Sequence, residues 1–473
     1  VIEGLKPYPE YRESGFGGAD AIPCHWSESR LRHVCKMLVS SVDKHFRPGE
    51  LPVRLCNYVD VYKNERIHSH LRFVPASASS EEVERFRIRI HDVIVTKDSE
   101  SWNDIGVPSL VECEAPDLVC GYHLAILRPR LAQLVGGYLL RALQCPTVSF
   151  QCHVEAHGVT RFGLSHGAIR NINIPIPPPD EQAAIVCFLD HATRKIDRAI
   201  RVKRKLIALL NEQKQAIIQR AVTRGLDPAV PLKPSGVPWL GEIPEHWEVA
   251  RSRRLFSACK ELARPDDVQL SATQAFGVIP QEEFEHRVGR RVVKISMHLE
   301  RRKHVEPDDF VISMRSFQGG LERAWARGAI RSSYVVLRPK PEVDVPFFSY
   351  LLKSHGYIKA LQATANFIRD GQDLTEQNFR RVDLPLIPLP EQRAIADHIK
   401  REAEATANQA TLLEREIALL REFRTRLVAD VVTGKLDVRE AARNLPEEVE
   451  PLPDGEEADE DLGDEADLEE EDP

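Results

Sequence analysis

Pro175-Ile-Pro-Pro-Pro-Asp-Glu181-Gln182-Ala-Ala-Ile185 returns 210 residues later as Pro385-Leu-Ile-Pro-Leu-Pro-Glu391-Gln392-Arg-Ala-Ile395. At the same offset Ile207-Ala-Leu-Leu210 returns as Ile417-Ala-Leu-Leu420, and Val222-Thr223 with Leu226-Asp227 returns as Val432-Thr433 with Leu436-Asp437. The match runs from Pro175 to Asp227 without an insertion. A second repeated block lies upstream of each copy. Ser14-Gly15, Ile22-Pro23, His25 and Trp26 correspond to Ser235-Gly236, Ile243-Pro244, His246 and Trp247, now at an offset of 221. The chain is therefore an internal duplication in the order lead-in, variable region, helix, written twice.

Each Pro-rich stretch opens a helix. Asp180 and Glu181 follow Pro179 and put acids where the helix dipole favours them. Ile185, Leu189, Ala192, Ile196, Ala199, Leu206, Leu210 and Ile217 then form an apolar seam interrupted by Lys203 and Gln213, and Gly225 stands where a stop is expected. The second copy runs through Ile395, Ile399, Leu413, Ile417, Leu420, Leu427 and Val431, diluted by Thr406 and Gln409, and ends at Gly434. About 40 residues without Pro or Gly make each helix ~60 Å long. A heptad seam of that length predicts coiled-coil pairing of the two copies, with their Ile and Leu side chains as the packing residues. The alternative is that each helix packs separately on its own domain.

Between these blocks the chain reads as mixed α and β. Arg87-Ile-Arg-Ile, Asp92-Val-Ile-Val-Thr, Phe310-Val-Ile-Ser and Tyr334-Val-Val-Leu have strand composition. Leu124-Ala-Ile-Leu-Arg-Pro129 corresponds to Val335-Val-Leu-Arg-Pro339, and Arg161-Phe-Gly163 has a looser echo in Arg369-Asp-Gly371. The expected organisation is a lead-in (1–26), a first variable domain (27–178), a central helix (179–227) and a linker with the repeated lead-in (228–247). A second variable domain (248–388), a C-terminal helix (389–437) and an acidic tail (438–473) follow. The fold class is α+β.

The 473-residue chain has a formal charge of −8, but sixteen acids and no Lys or Arg fall between Pro446 and Pro473. Without that stretch, 64 basic residues face 56 acidic ones, a body compatible with a polyanionic partner. The tail itself has too little apolar content to bury a core and is expected to be disordered and solubilising. No run of residues is apolar enough to cross a bilayer and no apolar leader opens the chain, so a cytoplasmic location is expected. Nine cysteines without a CxxC pair read as thiols of a reducing compartment. Cys145, Cys152, His153 and His157 lack zinc-ligand spacing, and no metal site is expected. GxxxxGK[ST], HExxH, GxSxG and a methyltransferase cofactor loop are all missing, so no catalytic residue is assigned. The recurring His25-Trp26 and His246-Trp247 are expected to be structural.

Taken together, the doubled Pro-rich motif, Ser235-Gly-Val-Pro-Trp239-Leu-Gly-Glu-Ile-Pro-Glu-His-Trp247 and the helix ending Val432-Thr-Gly-Lys-Leu-Asp437 resemble the specificity (S) subunit of type I restriction–modification systems. The resemblance covers residues 5–437. The first lead-in lacks the Trp-Leu-Gly-Glu core, and the acidic tail departs from the pattern. The resemblance implies two target-recognition domains, each reading one half of a bipartite asymmetric site in double-stranded DNA. An antiparallel pair of long helices would separate them, giving a pseudo-twofold internal repeat, fix the spacer and dock two DNA methyltransferase (modification) subunits. It implies no cofactor in this chain: S-adenosylmethionine belongs to the modification subunits, and ATP with Mg2+ to ATP-dependent restriction subunits.

Candidates for contact with DNA are polar residues at strand ends: Lys97, Ser99, Trp102 and Arg161 in the first domain, and Arg315, Ser316, Gln318, Arg369 and Gln372 in the second. Arg pairs bidentately with guanine and Gln with adenine, although phosphate contact or plain exposure suits the same residue types. Two other readings compete. One is a stand-alone DNA-modifying enzyme with an unrecognised active site; the other is a coiled-coil scaffold with no DNA role.

Overall fold

A computed structural model describes residues 5–15, 20–289, 291–292, 301–313, 316–364 and 374–446. The chain forms two compact units. One holds the residues up to Lys203 together with those from Arg415, and the other holds Arg204–Glu414. Each unit therefore takes one half of each long helix.

The two units share a strand order. In the first, Cys35–Val39, Leu124–Pro129, Val93–Thr96 and Pro108–Val111 lie side by side, all antiparallel, and Arg66–Ile67 adds a parallel edge. In the second, Phe256–Cys259, Val335–Pro339, Phe310–Ile312 and Glu322–Arg323 repeat that order. The central strands Val93–Thr96 and Phe310–Ile312 are wholly buried, which is why they read as unbroken apolar runs instead of alternating ones. The strand that leads into each long helix also pairs identically. Ser27 faces Ile176 and Arg30 faces Asn173 in one unit; Glu248 faces Leu386 and Arg251 faces Asp383 in the other. Each unit also has a second core, in the first under a three-stranded sheet of Leu51–Cys56, Val74–Ala78 and Leu118–Cys120 and in the second around Leu270, Val278, Val305 and Ile330.

The long helices span Pro179–Arg224 and Leu389–Val432. Both end on a left-handed glycine, Gly225 at φ +71° and Gly434 at φ +74°. Gly225 donates its N–H to the Ala221 carbonyl, whereas at the second end Lys435 reaches back to Asp430 and Gly434 to Val431. In the first unit the helices run antiparallel: Lys203 pairs with Glu416, and Asp197 meets Arg424 at 3.0 Å. Ile185, Leu189 and Ala192 there share a core with Leu427, Val428 and Val431. In the second unit Ile218, Ala221 and Val222 share a core with Ile395, Ala396 and Ile399, the antiparallel arrangement again.

Three expectations change. Leu206 is 44% exposed, and the seam passes through Ile200 and Ile207 instead. From 201 to 217 on the first helix no residue is buried, and none is from 400 to 416 on the second. Ile185, Leu189, Ile196, Ile395, Ile399, Ile417 and Leu427 are buried, while Leu210, Ile217, Leu413 and Leu420 are half-buried. Second, Arg87–Ile90 is not a strand. A Ser79 capping box starts a helix that runs to Phe86, and the chain then turns through His91 at φ +75°. Third, residues just past 437 are ordered: Val438 is fully buried and Arg439–Arg443 is helical. The acidic stretch from 447 lies outside the described residues.

Candidate nucleic-acid interface and its framework

The repeated Glu-Gln dipeptide builds the same clamp in both units. At the start of the first helix the buried Glu181 accepts hydrogen bonds from Trp26 Nε1 (3.1 Å) and Tyr8 Oη, and lies 2.9 Å from His25 Nε2. Glu391 accepts from Trp247 Nε1 at 3.0 Å and lies 2.8 Å from His246 Nε2. Burial and the Glu181 carboxylate push the Tyr8 hydroxyl well above its usual range. The neighbouring glutamines tie the variable domains down. Gln182 donates to the Gln133 and Pro177 carbonyls and accepts from Val135 N; Gln392 donates to the Glu342 and Ile387 carbonyls and accepts from Asp344 N. Each lead-in tryptophan also meets a helix-end glycine. A Cβ at Gly225 would come within 3.4 Å of Trp247, and one at Gly434 would come within 3.2 Å of Trp26 and 2.3 Å of Pro23. In the second unit these partners are neighbours in sequence. In the first they bring the end of the second long helix against the N-terminal lead-in, where Asp437 N donates to the Lys6 carbonyl.

On this frame the first unit carries a small three-stranded ribbon of His157–Gly158, Phe162–Gly163 and Asp98–Ser99. Pairing of Phe162 with Ser99 and of Gly163 with Asp98 brings Lys97, Trp102 and Arg161 to one place although 64 residues separate the first from the last. Arg161 is exposed, and Trp102 is 51% exposed with its ring edge-on to His153. Lys97 is ion-paired to Asp98 at 3.1 Å, and the same carboxylate lies 2.8 Å from His123 Nδ1. Burial raises the Asp98 carboxyl, but the His123 and Lys97 contacts outweigh it and leave the group below its ordinary value. Ser99 is buried and its Oγ accepts from Ser101 N, so it shapes the turn and is not presented to solvent. Exposed Tyr62, Tyr122 and Phe150 join the patch through Asp104, His123 and His153. These aromatics gave no sequence signal, because they come from three distant segments. In the second unit Gln318 is exposed on a short turn of helix, whereas Ser316 is buried and accepts from Ser313 N. Arg315, Arg369 and Gln372 lie outside the described residues. Among the described residues no three His, Cys, Asp or Glu side chains gather as metal ligands, and no helix is long and apolar enough to cross a membrane.

No protein-family model matches the chain. It is 21% identical over 438 residues to a putative type I restriction enzyme specificity subunit of Methanocaldococcus jannaschii, covering 91% of this chain and 98% of that one. A second specificity subunit from that organism is 34% identical over 118 residues, a quarter of each chain. Both relatives carry the name of the family that the motifs resemble. The fold agrees with that of a chain from a structural study of complex assembly and conformational transition in the type I restriction–modification system. That match has a TM-score of 0.62 at 16% identity and covers 88% of this chain and 99% of the other. The similarity to the first of these specificity subunits thus extends over both variable domains and both long helices.

Proposed function

We propose that this chain is the DNA-recognition and assembly subunit of a type I restriction–modification complex. Residues 27–178 and 248–388 are its two readers, each addressing one half of a bipartite asymmetric site. The duplication carries this reading: one strand order, one Glu-Gln clamp and one helix-end dock serve two domains whose remaining strands are arranged differently. A frame that is repeated while its readers diverge suits a target made of two unlike halves. In the first reader, Trp102 and Arg161 face the DNA and Lys97 supplies phosphate attraction. In the second, Gln318 takes the corresponding part, with Arg315, Arg369 and Gln372 as further candidates.

The helices set the spacer and dock the modification subunits. Their middle stretches expose Leu206, Leu209, Leu412, Leu419 and Phe423, more apolar surface than a solvated helix needs. Those partners bring S-adenosylmethionine, and restriction subunits bring ATP and Mg2+; this chain supplies addresses and contacts. Replacing Leu419 and Phe423 with serine is expected to release the modification subunits in co-purification while leaving helicity unchanged. DNA binding by the assembled complex is expected to fall steeply with salt and to favour one sequence. Sequence-specific binding that persists without Arg161 and Trp102 would remove the first reader's assigned surface.

A further inference from the structure

The first long helix carries a charged run that its copy does not. From Arg194 to Lys205 seven cations accompany the single acid Asp197. The matching stretch 210 residues on, Glu404 to Arg415, has one cation and two acids, with Glu404, Asn408 and Thr411 in place of Arg194, Arg198 and Arg201. A duplicated helix that forms without cations in one copy does not need them for its fold in the other. Arg194, Arg198 and Arg201 follow one another at spacings of four and three, on the side opposite the buried Ile196 and Ile200, and all three are exposed, as is Lys195. Like charges at such spacings destabilise a bare helix. The nearest carboxylates are committed elsewhere: Asp190 to Arg66 and Arg141, both at 2.7 Å, and Asp197 to Arg424 at 3.0 Å. Burial lowers the His191 pKa, and Lys195 and Arg194 lower it further, which registers the positive field of the run.

The complementary charge lies in the same chain. The 27 residues from Glu447 to Pro473 hold sixteen acids and no Lys or Arg, and this stretch too occurs once. The described residues just before it are anchored at the start of the first helix. Val438 is buried in the core that holds Ile185 and Leu189, and Arg439 lies 3.6 Å from Glu181. From Glu181 the helix rises ~20 Å to Arg194 and ~30 Å to Arg201. A segment of 27 residues reaches ~90 Å at most, and an unstructured chain of that length averages ~30 Å end to end. The run therefore lies where a segment rooted beside Glu181 has its highest local concentration. We propose that residues 447–473 lie along the Arg194–Arg201 face of their own chain and neutralise it. The contact holds other polyanions, DNA phosphates among them, off a helix face to which no reading role is assigned. It shares no residue with the proposed reader surfaces and stands whether or not they are correct.

The test is carbodiimide coupling of the full chain, which joins carboxylates and amines in contact, mapped by mass spectrometry. Acids of 447–473 are expected to couple to Lys195 and Lys205 about tenfold or more above the exposed Lys36 and Lys63, within monomers. About 0.5 M NaCl should abolish that preference. Arg194→Gln, Arg198→Gln and Arg201→Gln combined should bring Lys195 down to the level of Lys36, with an unchanged circular dichroism spectrum as the check on folding. Coupling spread evenly over the four lysines, or a preference that survives both salt and the triple variant, would overturn the proposal. Coupling confined to covalent dimers would overturn it in favour of a second copy. Even coupling together with protection of Lys195 from acetylation by an added DNA duplex would overturn it in favour of DNA phosphates.

Discussion

If the antiparallel helices hold the two readers apart, lengthening both should move the half-sites apart by a calculable amount. The place to insert is where the units divide, after Lys203 in the first helix and after Glu414 in the second. At those points the Asp197–Arg424 and Lys203–Glu416 pairs, the buried seams and both clamps stay intact within their own units. Four residues of helix-forming sequence add about 6 Å and turn the helix by ~400°, some 40° more than a full turn. Along B-DNA 6 Å is a little under two base pairs, and two base pairs rotate the duplex by roughly 70°. The two rotations differ by ~30°, within reach of small adjustments at each reader. The expected result is a gap longer by one or two base pairs between unchanged half-sites. Insertion into one helix alone leaves its partner too short and should cost stability without producing a new gap. The assay is genome-wide methylation mapping in cells supplied with modification subunits. An active doubly lengthened protein that still methylates sites with the original gap would refute the argument.

Three further outcomes follow from the framework. Glu181→Ala strands the Trp26 and Tyr8 donors in a buried site and should destabilise the first unit by about 3 kcal/mol, whereas Glu391→Ala, at a wetter clamp, should cost about half as much. Denaturant unfolding followed separately in each unit by hydrogen exchange checks the difference. Gly434→Ala should cost well over 2 kcal/mol, because its Cβ would sit 2.3 Å from Pro23 in addition to the left-handed strain, while Gly225→Ala meets only the strain, about 1 kcal/mol. Melting temperatures of the two variants rank them. His304 is fully buried between Asp267 at 2.7 Å and Glu306 at 2.8 Å, and although burial lowers its pKa, those carboxylates raise it above the ordinary 6.5. The ionised form therefore stabilises the second unit fully below about pH 6.5, and that stability is lost as pH rises through the elevated value. His304→Gln should remove this alkaline-side slope from pH-dependent unfolding curves.

The duplication and the helix limits were legible because they rest on local chemistry. Pro179 and Gly225 bracket the first helix as the start and stop rules require, and the observed span is Pro179–Arg224. The phase of the seam was not legible. Ala199-Ile200, Leu206-Ile207 and Ile217-Ile218 are adjacent apolar pairs, so two phases fit the pattern equally and only packing chooses the second member of each. The purpose of the Glu-Gln repeat was equally hidden, because Glu181 and its partners Trp26 and Tyr8 meet across more than 150 residues. At the candidate interface, pairing of Phe162 with Ser99 gathers residues proposed separately, and it buries Ser99, whose polar type had suggested exposure. Residue type near a strand end does not fix which way a side chain faces; register does.

The central claim is that two independent readers stand on a shared frame. The direct measurement replaces residues 27–170 with the corresponding domain of a type I specificity subunit, keeping Glu181, Gln182 and both long helices, and maps the methylated sequence. The account predicts that one half of the recognition sequence changes while the other half and the gap remain. Alteration of both halves, or of neither in an active complex, would contradict it.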